Sequence, residues 1–169
     1  MEKEFIALRN KYLPKKIKAV FVLESPPAGH GYFYDSSGRV SEVLFRAFMK
    51  AILNFSPRTK EEGLRKLADS GYLLVNPIYT PVNKMGDKEA DKLILGNYDN
   101  FKKDLINLIG KTDVPIILVK SNIFRLLEKP LLEDGFNVIN DGILIPFPLH
   151  YHMNTFEQRV GVMLKKIIS

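Results

Sequence analysis

The stretch that decides the fold is KAVFVLESPPAGHGYFYDSSG, residues 18–38. Its apolar run, residues 19–23, is continuous rather than alternating, which is typical of a parallel strand buried on both faces. The run stops at Glu24, and Pro26 and Pro27 then stiffen the following turn, because proline fixes φ and lacks an N–H donor. Ligands of open α/β sheets bind beyond the carboxyl ends of such strands, so we expect Glu24 to face a binding crevice.

Three further apolar runs have the same form. Residues 72–75 end at Asn76, residues 114–119 are followed by a helical pattern, and residues 143–146 lead directly into the segment FPLHYH. Helical patterns separate the runs, and loops of Gly, Pro and Asn punctuate them. This alternation predicts an α/β fold for residues 1–169 as one domain, a three-layer α/β/α arrangement with a central four-stranded, mainly parallel sheet.

Candidate caps mark where the predicted helices begin. The segment DSSG, residues 35–38, supplies capping oxygens for a helix from about Arg39 to Leu53. Thr59 with Glu62 resembles a capping box. A single long amphipathic helix is predicted from about residue 94 to Gly110. The free N–H groups after residue 38 face the crevice and would suit an anion, although capping alone explains the same residues.

Composition restricts the function classes. The chain has no cysteine, which excludes disulfides, thiolate metal sites and a cysteine nucleophile. No apolar run is long enough to cross a bilayer and no signal peptide is recognisable, so we expect a cytoplasmic protein that does not contact membranes. With 25 Lys and Arg against 19 Asp and Glu, the net charge of +6 favours a polyanionic partner, although a well-solvated basic surface is an equally simple explanation.

Four motifs, in order along residues 18–169, resemble the uracil-DNA glycosylase superfamily. LESPPAGHGYFYDSSG is similar to the strand-end motif of the branch that reads Gly-Glu-Ala-Pro-Gly, although the cysteines of that branch are missing. GYLLVNPIYTPVNK resembles the segment that carries the base-recognising asparagine. VPIILVKSNIFRLL resembles the late strand and helix, and ILIPFPLHYH lies where the family has His-Pro-Ser and its DNA-inserting loop.

The resemblance implies roles for individual residues. Asn76 would pair with the N3–H and O4 of uracil through its amide, which offers one donor and one acceptor face. Phe33 would stack on the flipped base, with Pro26 and Tyr34 completing the substrate-binding set. A strand-end cap for Asn76 and core packing for Phe33 are the structural alternatives.

Two departures from the family concern the chemistry. Ser25 stands where the most familiar branch has an Asp that positions water, and Phe147 stands at the histidine of His-Pro-Ser. His150 lies just downstream and would stabilise the departing base only if the loop curls back. Glu24 or Asp35 would orient the water in a dissociative cleavage of the N-glycosidic bond, and the candidate catalytic residues are Glu24, Ser25 and His150. A solvated strand end for Glu24 and a surface loop for His150 are the structural alternatives.

The same resemblance implies a DNA partner, single-stranded or mismatched. Arg39 and Lys84 would contact phosphates together with Lys15 and Lys16, while Tyr151 and Met153 would form a wedge in the base stack. A loop that packs on the last helix is the alternative for this wedge. No cofactor is implied, the His150/His152 pair lacks a third metal ligand, and a monomer is the expectation.

Two other functions remain open from the sequence. The first is a catalytically inactive module on the same fold that binds a nucleic acid or a free nucleobase. The second is an unrelated nucleotide-binding α/β domain, which the absence of G-x-G-x-x-G and of a Walker loop disfavours for dinucleotides and triphosphates.

Overall fold

A computed structural model describes residues 2–168 of the chain. In this part the strands are β1 (Ala19–Val22), β2 (Tyr72–Val75) and β3 (Ile116–Leu118). The helices are α1 (Glu2–Asn10), α2 (Val43–Phe48), α3 (Lys60–Asp69), α4 (Asp87–Gly96), α5 (Tyr98–Ile109), α6 (Ser121–Glu133) and α7 (Met153–Ile168). A π-helical turn, Met49–Leu53, directly follows α2, and a 3-10 turn, His150–His152, precedes α7.

The sheet is wholly parallel, with strand order β2-β1-β3. In the centre, Val20 lies opposite Leu73 on one side and Ile116 on the other. All four residues of β1 are fully buried, and because successive side chains point to opposite faces, both faces of the strand are covered. The predicted α/β class with a buried parallel sheet is therefore confirmed.

The expected fourth strand, residues 143–146, does not form within the described part of the chain, so the sheet has three strands instead of four. The chain still follows β3, but contact is limited to one bridge between Ile116 and Val138 and to a bond from the Lys120 N–H to the Ile145 carbonyl. Between these points the fully buried Asn140 side chain accepts from the Leu118 N–H (2.8 Å) and donates to the Leu118 carbonyl (3.0 Å). A side-chain amide thus replaces the main chain of the missing strand.

The helix predicted from about residue 39 begins only at Val43, so the proposed cap at residues 35–38 is wrong. The Asp35 carboxylate instead accepts from the N–H and the hydroxyl of Ser37 (3.0 and 2.6 Å), which closes a local turn that competes with helix. The cap at Thr59 is confirmed, because its hydroxyl accepts from the Glu62 N–H (3.1 Å) at the start of α3. The reciprocal bond of a capping box does not form, since the Glu62 carboxylate accepts from the Arg58 N–H (2.9 Å) instead of the Thr59 N–H.

The long helix expected near residues 94–109 is two helices that meet at Asn97. The Asn97 side chain donates to the Pro77 carbonyl (2.8 Å) and accepts from Asn100 (3.0 Å). These bonds fix the junction to the loop after β2. No helix within residues 2–168 has the length and apolar character needed to cross a membrane.

A buried ion pair supports the loop after β1. The Lys60 side chain is fully buried, and its ammonium donates to the Glu42 carboxylate (2.8 Å) and to the Tyr32 carbonyl (2.9 Å). The second Glu42 oxygen accepts from the Arg39 N–H (2.9 Å). A Cβ built on Gly38 would overlap this carboxylate and lie 3.2 Å from Lys60 Cδ, so a larger residue there requires the Glu42 side chain to shift.

The first prediction concerns Asn140. Asn140→Leu leaves the buried N–H and carbonyl of Leu118 without partners, and we expect it to lower the free energy of unfolding by about 3 kcal/mol. Asn137→Leu is the matched control, because the Asn137 side chain donates only to the exposed Asp113 carbonyl. Urea unfolding of the two variants measures the difference, and equal losses would contradict the role given to Asn140.

The second prediction concerns Gly38. Gly38→Ala should lower the free energy of unfolding by about 2 kcal/mol, because the new methyl group displaces the Glu42 carboxylate from Lys60. Gly161→Ala in α7 is the control: no heavy atom lies within 4 Å of its Cβ position, so higher helix propensity should stabilise the protein by up to about 1 kcal/mol. Thermal unfolding that shows Gly38→Ala to be as stable as the wild type would refute the steric argument.

Candidate functional site

A cavity of about 530 Å³ lies at the carboxyl ends of β1 and β2. Its walls are mostly apolar, and a small number of polar side chains reach it: Glu24, Ser25, Glu42, Asn76, Asn83 and Lys120. Six residues predicted from the sequence to be catalytic or substrate-binding line it together, namely Glu24, Ser25, Pro26, Phe33, Tyr34 and Asn76. Parallel pairing explains the meeting, since it brings both strand ends, more than 50 residues apart in sequence, to one edge of the sheet.

Phe33 and Tyr34 form an aromatic wall of the cavity. The Phe33 ring is 5% exposed and contacts the rings of Tyr34, Phe45 and Phe48 at centroid distances of 5.1 to 5.8 Å. The Tyr34 hydroxyl accepts from the N–H of Leu74 (2.8 Å), a residue of the outer strand β2. Burial raises the pKa of the Tyr34 phenol well above its ordinary value. Tyr34 therefore lines the cavity with a ring whose hydroxyl is already engaged.

The Asn76 side chain is half-buried, and its amide makes no hydrogen bond to another described residue. Its backbone is held firmly: the Asn76 N–H donates to the Tyr79 hydroxyl (3.3 Å), which also accepts from Arg9 (2.8 Å). Arg9 is 2% exposed and forms two bonds with the Asp104 carboxylate (2.8 and 3.2 Å). A buried polar network thus fixes the backbone of a residue whose side-chain donor and acceptor stay free.

Burial raises the pKa of the Tyr79 phenol, and the nearby Arg9 guanidinium opposes this shift. The hydroxyl therefore stays protonated near neutral pH and keeps its acceptor lone pairs for Arg9 and Asn76. Tyr32, whose ring also lines the cavity, has a buried hydroxyl with no partner among residues 2–168, and burial raises its pKa as well.

Glu24 is held in place by two donors that follow β3, Lys120 and, in the first turn of α6, Asn122. One carboxylate oxygen lies 2.9 Å from the Lys120 ammonium, and the other accepts from the Asn122 amide at 2.5 Å. The Glu24 side chain is 13% exposed. The carboxylate has a fixed orientation and retains lone pairs for a water or a sugar hydroxyl.

Lys120 has an unusual backbone conformation, with φ of 84° and ψ of 136°. In a non-glycine residue this combination of φ and ψ lowers the stability of the fold by about 1–3 kcal/mol, and it persists only where the surrounding structure enforces it. Here the Lys120 N–H donates to the Ile145 carbonyl (2.8 Å), while the Lys120 carbonyl accepts from Phe124 (3.0 Å) at the start of α6. The strained backbone directs the ammonium toward Glu24 at the cavity edge.

Lys120, Asn122 and Asn83 were missed by the sequence reasoning. Lys120 directly follows the third apolar run, so the rule that selected Glu24 and Asn76 would have selected it too. Asn83 gave no comparable signal, because it lies within a long loop. The side-chain amide oxygen of Asn83 accepts from the Ala28 N–H (3.1 Å), and the Ser25 hydroxyl accepts from the Val82 N–H (3.2 Å), so two loops are joined across the cavity mouth.

A second, more polar cleft of about 660 Å³ adjoins the cavity. Both are lined by Glu24, Asn83 and Lys120, so the Glu24–Lys120 ion pair lies at their common boundary. The Asn122 amide oxygen, which is buried and has no partner among the described residues, belongs to a residue that lines the polar cleft. A ligand larger than one ring can therefore extend from the apolar cavity past the ion pair.

The residues of the 147–153 segment are divided between the cavity and the surface. Phe147 and Leu149 line the cavity, whereas His150 is exposed in the 3-10 turn and does not line it. Tyr151 is 76% exposed, as a wedge would be, and Met153 packs against the hydrophobic core. In this arrangement the catalytic role predicted for His150 requires the segment to move.

The predicted phosphate-contacting residues are also divided. Arg39 and Lys84 are exposed and lie next in sequence to loops that line the cavity. Lys15 and Lys16 instead precede the amino end of β1, at the opposite edge of the sheet from Glu24. They cannot contact the same stretch of a ligand as the cavity residues.

The backbone strain at Lys120 gives a third prediction. Lys120→Gly and Lys120→Ala both remove the ion pair. The glycine variant should be more stable by about 1 kcal/mol, because glycine adopts the positive φ of this position without strain and alanine does not. At the exposed Lys129 inside α6 the order should reverse, with glycine less stable by about 1 kcal/mol. Thermal unfolding of the four variants checks this reversal, and the same order at both positions would contradict it.

Comparison with known proteins adds no relative: no family model, curated protein or solved structure matches this chain.

Proposed function

We propose that this protein binds one extruded nucleobase in the 530 Å³ cavity and acts as a DNA glycosylase-like hydrolase on uracil or a related damaged base. The observation that carries the proposal is the free amide of Asn76 in the same cavity as the buried ring of Phe33. An amide pairs with the edge of a pyrimidine, and an aromatic wall stacks on its face. The finer fold assignment, an α/β/α arrangement of the uracil-DNA glycosylase type, belongs to the same proposal.

The proposed chemistry needs electrostatic stabilisation at two places. When the N-glycosidic bond breaks, its electron pair leaves with the base and positive charge develops on the sugar. The oriented Glu24 carboxylate stabilises that charge and holds the attacking water, while the Lys120 ammonium stabilises the departing base. Water then adds to C1′, and its proton ends on the released base.

DNA is the proposed partner, single-stranded or mismatched. Arg39 and Lys84 lie at the surface beside the cavity-lining loops, where they would contact phosphates, and the exposed Tyr151 would fill the gap left by the extruded base. His150 would stabilise the departing base, as the histidine of His-Pro-Ser does in the family, only if residues 149–152 move inward on binding DNA.

A second candidate function is binding without turnover. Two observations favour it specifically: Ser25 uses its oxygen to accept from the Val82 N–H, and the phenyl ring of Phe147 lines the cavity where an imidazole would donate. A nucleobase would then be held by Asn76 and Phe33 without a charged group at position 25.

The fourth prediction separates these functions. Single-turnover assays on uracil-containing single strands and U:G duplexes should show release of uracil, and Asn76→Ala should slow it by about a hundredfold, because the base loses its paired edge. Asn100→Ala is the matched control, since the exposed Asn100 amide bonds only to Asn97.

If the wild-type protein releases no base across a panel of lesions, equilibrium binding decides. Tighter binding of uracil-containing strands than of undamaged strands, weakened about tenfold in Asn76→Ala, would establish the binding module. Equal affinity for both strands in wild type and variant would reject the nucleobase site altogether.

A further inference from the structure

A basic ridge lies at the end of the sheet opposite the cavity. It is formed by residues 14–18, Pro-Lys-Lys-Ile-Lys, which lead into β1. A groove of about 370 Å³ lies on one side, and another of about 520 Å³ lies on the other. Pro14, Lys15, Lys16 and Lys18 line both grooves, so the segment stands between two concave surfaces.

The charge of these grooves is strongly one-sided. Six basic side chains line them, Lys11, Lys15, Lys16, Lys18, Arg65 and Lys111, against two acidic ones, Asp69 and Asp113. Asp113 pairs with Lys111, and Arg65 pairs with Glu61. Among the residues described, no carboxylate pairs with Lys15, Lys16 or Lys18, and all three are exposed.

The parallel sheet determines where this ridge lies relative to the cavity. Lys18 precedes β1 and Glu24 follows it, so at about 3.3 Å per residue the two are roughly 20 Å apart. The Lys18 N–H donates to the Gly71 carbonyl (2.7 Å), which ties the ridge to the amino end of β2. A ligand in the cavity and a ligand on the ridge therefore occupy separate places.

We propose that the ridge is a second, independent binding surface for the phosphate backbone of a nucleic acid. This inference does not depend on the function proposed for the cavity. Unpaired lysines bind phosphate as point charges, whereas carboxylates of a protein partner favour the forked guanidinium of arginine, and the one arginine of these grooves is already paired.

The shape of the ridge also favours a nucleic-acid strand over a membrane surface as its ligand. A phosphodiester chain can lie in a groove, while binding to a bilayer surface needs protruding apolar side chains beside the cations. Of the described residues that line the two grooves, Leu13 is the one large apolar side chain exposed by more than a third, at 40%.

The fifth prediction tests the ridge directly. Fluorescence anisotropy with an undamaged single-stranded 20-mer should show that Lys15→Gln/Lys16→Gln/Lys18→Gln weakens binding and lowers the slope of log affinity against log salt by about 2. Between 50 and 200 mM salt, the affinity of the wild type should therefore fall about 20-fold more than that of the variant.

The matched control is Lys92→Gln/Lys103→Gln/Lys129→Gln, which removes the same charge from exposed lysines on α4, α5 and α6. It should leave the slope nearly unchanged, because it removes no charge from the ridge. Melting temperatures within a few degrees of the wild type show that the variants are folded.

Several outcomes would overturn the proposal. Equal loss of affinity in the two triple variants would show that net charge alone is responsible. The wild type could instead bind phosphatidylserine vesicles or polyglutamate at least as tightly as the 20-mer, with this binding lost in the ridge variant. That result would assign the surface to a membrane or an acidic protein. No salt-dependent binding of the wild type to the 20-mer would likewise reject it.

Discussion

The parallel pairing of β1 with both of its neighbours is the constraint on which the rest of the molecule depends. Because β1 is bonded on each side and buried on each face, its direction determines which loops meet. The loops that follow β1, β2 and β3 come together at one edge, where the apolar cavity and the polar cleft adjoin. The ridge at residues 14–18 precedes β1 and therefore lies at the other edge.

The cavity edge concentrates features that cost stability. Lys120 has a strained backbone, Glu24 depends on donors from another strand end, and the buried amide oxygen of Asn122 has no described partner. Backbone strain and incomplete hydrogen bonding are compensated elsewhere in a fold and are enriched at functional sites. The compensation here lies in the core of the sheet, while two ion pairs, Arg9–Asp104 and Lys60–Glu42, position the helices and loops around the cavity.

The two ion pairs act at different distances from the cavity. Lys60 and Glu42 support the loop that carries the aromatic wall, since Lys60 donates to the carbonyl of Tyr32, the residue before Phe33, and Glu42 lines the cavity. Arg9 acts through the Tyr79 hydroxyl on the backbone of Asn76. In both cases a charge that is almost wholly buried is hydrogen-bonded to a carboxylate and to at least one further oxygen, which helps such a charge to be tolerated.

The sequence by itself determined the positions of β1, β2 and β3, the α/β class and the strand-end residues Glu24 and Asn76, because a buried parallel strand leaves a continuous apolar run that ends where the chain turns polar. It also identified the Thr59 cap, whose bonds are local. It misjudged the cap at residues 35–38, the junction at Asn97 and the fourth strand, because each depends on hydrogen bonds that compete with a regular pattern.

Only the tertiary structure decided the rest. Asn140 replaces a strand through bonds to Leu118, Lys120 and Asn122 hold Glu24, and the ridge at residues 14–18 lies apart from the cavity. The physical reason is the same in each case: side chains that meet across long sequence separations leave no periodic signal in the chain, and their geometry exists only once the sheet has brought them together.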